Sequence, residues 1–117
     1  MIVEDEEDIR DSLRDVFEDA GYRVISAKNG RIALELLREK NRPELILLDL
    51  MMPVMCGAEF MAEKKIDARL AGIPIIIMSA DSHTEQKAID LGSTSYIKKP
   101  IGIDEILSLV KEHCGAH

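Results

Sequence analysis

Tryptophan is absent from the sequence, and aromatic residues make up only 3% of it. A core built from this chain must be aliphatic, with six methionines available to fill irregular gaps. So few rings also argue against a carrier that sandwiches a flavin. Histidine and cysteine are equally sparse. His83, His113 and His117 are scattered, which leaves no His-rich metal site. Cys56 and Cys114 lie far apart, with neither a C-x-x-C pair nor a zinc spacing, and are expected to be free thiols in a reducing compartment. Positive charge is short as well: 15 Lys and Arg stand against 22 Asp and Glu, a net charge of −7. That balance argues against direct nucleic-acid or anionic-membrane binding and points to basic protein surfaces or cations as partners. No signal peptide, internal repeat or apolar run long enough to span a bilayer is present, so a cytoplasmic location is expected. Neither G-x-x-x-x-G-K-[ST] nor G-x-G-x-x-G occurs, which removes a nucleotide-binding switch.

What is present is an alternation. The 117 residues suit one domain, and 46% of them are hydrophobic, enough for a sizeable core. Short strand-like runs, "MIV", "YRVISA", "LILLD", "PIIIMSA" and "SYIKKP", are separated by helix-like ones. Ile9, Leu13, Val16, Phe17 and Ala20 share one helical face, and Gly21 reads as that helix's stop. Asn29-Gly30 opens a second helix with the stripe Ala33, Leu36, Leu37; Gly57 opens a third containing Phe60 and Met61. A fourth helix is expected over Thr84–Leu91, stopped by Gly92, and a fifth carries Ile103, Ile106, Leu107 and Val110 at i, i+3, i+4, i+7. Five βα units whose strands are apolar on both faces imply a parallel sheet covered by helices on each side. Right-handed crossovers make it open and doubly wound, with its ligand site at the carboxyl ends of the strands.

The strand ends carry an unusual set. The first ends in Glu4-Asp5, the third in Asp49, the fourth in Ser79 and the fifth in Lys99 before Pro100. Three converging carboxylates repel one another unless cations intervene. One divalent ion and one ammonium balance them, and Mg²⁺ fits because it takes hard oxygen ligands and pairs with phosphate. Such a site suits attack by the Asp49 carboxylate on phosphorus, with Lys99 as the point charge and Ser79 as a hydroxyl donor. A single acidic cluster or strand-end serine has simpler explanations, such as helix-dipole placement. One shared site explains all of them together.

"IVEDEEDIR", "LILLDLMMP…G", "PIIIMSA" and "YIKKP", in this order over nearly the whole chain, resemble the receiver domain of bacterial two-component response regulators. The resemblance implies a flavodoxin-like (βα)5 fold, strand order 2-1-3-4-5, for a receiver domain spanning residues 1–117. It implies that Glu4, Asp5, Asp49 and the Met51 backbone carbonyl hold Mg²⁺. Asp49 would accept a phosphoryl group from a histidine kinase or phosphotransfer protein, and Ser79 and Lys99 would bind the phosphoryl oxygens. Ser79 and its loop would be drawn toward the phosphoryl group, a movement for which the small Ala80 leaves room. Tyr96 would turn inward into the space vacated behind Ser79, changing a partner face made by the fourth helix, fifth strand and fifth helix. Lys99-Pro100 would be cis. The domain would be a signalling switch that assists its own phosphoryl transfer and hydrolysis rather than an enzyme.

Two alternatives arise. A haloacid-dehalogenase-like phosphatase needs an acid two residues after its nucleophile, where Met51 stands. A degenerate receiver acting only as a protein-binding module stays open. Cys56 replaces the acid usual before the glycine of the third loop, and Ile101 the aromatic usual after Lys-Pro. Only Met1–Val3 precede Glu4, so the central first strand is expected to be short, truncated or continued by residues before Met1. No output domain is visible, and both a stand-alone receiver and a piece of a larger regulator or hybrid kinase fit.

Overall fold

A computed structural model describes residues 1–39, 43–50, 54–80 and 83–114. Elements alternate throughout: β1 (Ile2–Val3), α1 (Glu7–Asp19), β2 (Ser26–Ala27), α2 (Gly30–Arg38), β3 (Ile46–Asp49), α3 (Gly57–Ile66), β4 (Ile75–Ser79), α4 (Thr84–Leu91), β5 (Ser95–Lys98) and α5 (Ile103–Cys114). The strands form one parallel sheet in the order β2-β1-β3-β4-β5, as expected. Successive residues of each strand face opposite sides, so the sheet divides two cores. Val3, Ile46, Leu48, Ile75 and Ile77 pack with Leu34 and Leu37 of α2, Phe60 of α3 and Ala88 of α4. Ile2, Leu47, Ile76, Met78 and Ile97 pack with Leu13 and Phe17 of α1 and with Ile106 and Val110 of α5.

The helix ends follow the local chemistry read in the sequence. The Asn29 side chain accepts the Ile32 N–H at 2.9 Å and caps α2. Gly92 sits in the left-handed region (φ 77°), and the Ser93 N–H then reaches the Ala88 carbonyl at 3.0 Å, closing α4. Gly21 (φ 94°) ends α1 in the same way, with the Tyr22 N–H on the Phe17 carbonyl.

Three details differ from the sequence reading. The run "YRVISA" pairs only at Ser26 and Ala27, because its one neighbour, β1, offers just Ile2 and Val3 as partners. In α2, Leu34 is buried in place of Leu36, which packs only partly. Ile103 is exposed, since it begins α5 at the edge of a cavity of about 430 Å³ bordered by Ile9, Leu13 and Ile106. The short β1 is nonetheless anchored beyond its own length. The Leu47 N–H donates to the Met1 carbonyl at 2.8 Å, and the Glu4 N–H donates to the Ala27 carbonyl at 3.1 Å.

Val54, in the loop after β3, holds a left-handed backbone at φ 70° while its side chain is 65% exposed. A β-branched residue there is strained by about 1–2 kcal/mol, and exposure leaves little packing in return. Val54→Asn is therefore expected to raise stability by about 1 kcal/mol, or about 5 °C in Tm. Thermal melting checks this; an unchanged or lower Tm would mean that the loop does not hold this conformation in solution.

Candidate functional site

Glu4 follows β1 with its carboxyl fully buried. Its Oε1 accepts from the Lys99 ammonium at 2.7 Å, and its Oε2 accepts from the Asp5 N–H at 3.0 Å. Asp49 closes β3, also buried, with Oδ2 at 3.4 Å from the same ammonium. Asp5 is the more open third member, and one oxygen from each acid lies within 4.8 Å of the others. Lys99 follows β5 through a backbone hydrogen bond from its N–H to the Ser79 carbonyl at 2.9 Å. The Lys99-Pro100 bond is cis, as the sequence reading expected. Ser79 is buried at the end of β4, the strand adjacent to β3, and Ala80 stands exposed just beyond it.

Charge in this cluster is unbalanced. Burial, together with the hydrogen bond and charge of Asp49, pushes the Glu4 carboxyl up to about 8, although Lys99 pulls the other way. Burial tends to lower the Lys99 pKa, but its contacts with Glu4 and the charge of Asp49 outweigh that and hold the ammonium above its ordinary value. Burial is the larger cause for Glu4, while Lys99 is held up by the carboxylates it neutralises. For Glu4, the folded state binds a proton that the unfolded chain has released. Its contribution to stability is full below the ordinary value of 4.5 and is lost as pH rises toward 8. A hard dication would relieve the excess negative charge, and three carboxylate oxygens at this separation are the donor type it takes.

Tyr96 lies on β5, half-buried against the core that includes Ala88 of α4. Burial raises its hydroxyl pKa, as do the charge of Glu85 on α4 and a hydrogen bond to that carboxylate. Met51, read as a backbone ligand, lies outside the described residues. The structure thus brings Glu4, Asp5, Asp49 and Lys99 into one cluster with Ser79 on the neighbouring strand end. Tyr96 belongs to the α4 side of the sheet.

The sequence reading passed over Arg10. This residue of α1 turns back so that its Nη1 donates to the Glu4 carbonyl at 2.9 Å and lies 3.5 Å from the Asp5 carbonyl. A basic residue one turn into a helix that opens on five consecutive acids was the available signal.

A family model for the response regulator receiver domain matches residues 1–111. The chain belongs to that family. This receiver is 38% identical over 117 residues to the polar-differentiation response regulator DivK of Brucella anthropi, covering 98% of this chain and 94% of that protein. It is 37% identical over 115 residues to sporulation initiation phosphotransferase F of Bacillus subtilis, covering 97% and 90% respectively. Among solved structures, the receiver domain of a signal transduction histidine kinase from Syntrophus aciditrophicus superposes with a TM-score of 0.87 at 30% identity, over 97% of this chain and 86% of that one. Membership of the family makes this receiver a component of phosphorylation-dependent signalling.

Proposed function

We propose that this receiver accepts a phosphoryl group on Asp49 from a phosphohistidine of a histidine kinase or phosphotransfer protein, and that Mg²⁺ is required. The observation that carries the reading is the partly buried ammonium of Lys99 shared between Glu4 and Asp49, with Asp5 beside them. In the transfer, an Asp49 carboxylate oxygen forms the new bond to phosphorus. The N–P bond breaks with its electron pair going to the imidazole, which leaves and takes up a proton. Lys99 supplies positive charge to the phosphoryl oxygens, and the Ser79 hydroxyl donates to one of them. Glu4, Asp5 and Asp49, with the Met51 carbonyl, would hold Mg²⁺, which would supply charge neutralisation to the carboxylates and the phosphoryl oxygens. The domain is a switch that assists its own phosphorylation and hydrolysis in the cytoplasm, not an enzyme acting on a separate substrate. Among the described residues no helix is long and apolar enough to cross a membrane.

The Glu4 carboxyl must lose its proton to ligate a metal, so metal and proton compete. Since that carboxyl sits at about 8 in the metal-free chain, Mg²⁺ affinity is expected to rise by up to about tenfold per pH unit below 8 and to level off above it. Calorimetric titration at pH 6, 7, 8 and 9 measures the slope. A flat profile would mean that Glu4 gives up no proton to the metal.

The output follows from Ser79. Drawn toward the added phosphoryl group, Ser79 vacates space past the small Ala80, and Tyr96 leaves Glu85 to fill it. The surface of α4, β5 and α5 changes as a result, and a downstream protein binds that face. Nucleic acid is not bound directly by a domain of net charge −7. Hydrogen exchange tests this on the chain treated with acetyl phosphate and Mg²⁺. Changes are expected in α4 and β5, absent in Asp49→Asn and diminished in Tyr96→Ala while Asp49 is still modified. Phosphorylation without any change in α4 or β5 would sink the switch and leave a phosphoacceptor with a different output face.

A further inference from the structure

We infer that Arg10 is the positioning residue of the metal site, acting on the two acids of the first loop through their backbone. The inference rests on the reading that Glu4 and Asp5 hold Mg²⁺. Apart from the Lys99 ammonium on the Glu4 carboxylate, few side chains fix the loop that carries them. β1 contributes two residues, and Glu6, at the N-cap of α1, makes no side-chain cap hydrogen bond. The Glu4 N–H is tied to the Ala27 carbonyl, and the Asp5 N–H to Glu4 Oε2. Arg10 takes the remaining side of the loop: its Nη1 meets the Glu4 carbonyl at 2.9 Å and the Asp5 carbonyl at 3.5 Å. Carbonyl orientation sets the backbone dihedrals of these residues, and the dihedrals set where each carboxylate points. The Arg10 backbone is held in the first turn of α1, its N–H donating to the Glu6 carbonyl at 2.9 Å. One guanidinium nitrogen therefore reaches the backbone of both metal-holding residues, closely at Glu4 and at longer range at Asp5.

The sign of the effect separates positioning from charge. A cation beside a dication site repels the metal, so on Coulombic grounds alone, removing Arg10 would tighten Mg²⁺ binding. Positioning predicts the reverse, because loss of an outer partner of metal ligands typically weakens binding by about tenfold or more. Arg14, one turn further along α1, supplies the control. Its guanidinium donates to the Ser26 hydroxyl on β2.

The test is calorimetric Mg²⁺ titration of the full chain at pH 8, with melting curves in chelator to establish that each variant is folded. Arg10→Met is expected to bind Mg²⁺ about tenfold more weakly, Arg10→Lys to recover part of the loss, and Arg14→Met to bind as tightly as wild type or more so. Should Arg10→Met not fold, Arg10→Gln carries the same comparison. Wild-type or tighter affinity in a folded Arg10→Met chain would overturn the inference while leaving the metal reading intact. A wild-type chain that binds no Mg²⁺ would overturn both.

Discussion

Lys99→Met is expected to lower the stability of the metal-free chain by about 3 kcal/mol at pH 8, the scale for removing one partner from a buried charge pair. The ammonium is mostly buried and is shared at 2.7 Å with Glu4 and at 3.4 Å with Asp49. Without it, two buried carboxyl groups face each other unneutralised. The loss shrinks toward pH 5, where Glu4 keeps its proton in the folded state and can hydrogen-bond to Asp49. Asp49→Asn acts in the opposite direction, since it removes the like charge next to Glu4, and should stabilise the metal-free chain. Urea titrations of both variants at pH 5 and pH 8 check these signs. Equal destabilisation by Lys99→Met at both pH values would show that its ammonium does not offset the acids. The same variant should also accept phosphoryl groups far more slowly, because it removes the ammonium that lies 3.4 Å from the Asp49 carboxylate.

Gly57→Ala is expected to destabilise the fold by about 2 kcal/mol, although glycine-to-alanine changes in helices usually stabilise by about 1 kcal/mol. Gly57 begins α3, and a Cβ there would lie 2.9 Å from the Leu50 Cα and 3.0 Å from its carbonyl oxygen. That neighbour is backbone directly after Asp49 and cannot rotate away. The Gly57 N–H also donates to the Leu50 carbonyl at 3.0 Å, so the added methyl pushes on the contact that ties α3 to the end of β3. The substitution should therefore weaken Mg²⁺ binding along with the fold. A Tm equal to or above that of the parent would show that the β3–α3 connection has slack that this structure does not show.

Much of this architecture could be read from residue order. Gly92, Asn29 and Gly21 mark helix ends by conformational and capping preferences that act within a few residues, and the structure places ends there. The strands "LILL" and "PIII" are apolar on both faces because both faces are covered, which identifies a parallel sheet without any coordinates. β2 was less legible: its length depends on what β1 can pair, not on its own six residues. Ile103 fits the helical spacing, but spacing cannot tell that the first residue of α5 stays exposed while Ile106 and Val110 are buried.

The candidate site divides in the same way. That Glu4, Asp5, Asp49, Ser79 and Lys99 end successive strands is visible in the sequence, because strand ends are set by local pattern. Which acid Lys99 reaches more closely is not visible, since Glu4 and Lys99 are 95 residues apart and the choice depends on sheet geometry. Arg10 escaped notice for a different reason. It works on backbone carbonyls, which every residue has, so no residue pattern announces its targets.

Asp49 ends an apolar strand because the sheet holds it rigid at the rim, beside an ammonium and two further acids. Intact mass after incubation with acetyl phosphate, with and without Mg²⁺, on the parent chain and on Asp49→Asn, tests that claim most directly. A gain of one phosphoryl group is predicted in the parent, dependent on Mg²⁺ and absent in Asp49→Asn. No gain in a folded parent chain, or an equal gain in Asp49→Asn, would contradict it, the first outcome pointing to a receiver that serves only as a binding module.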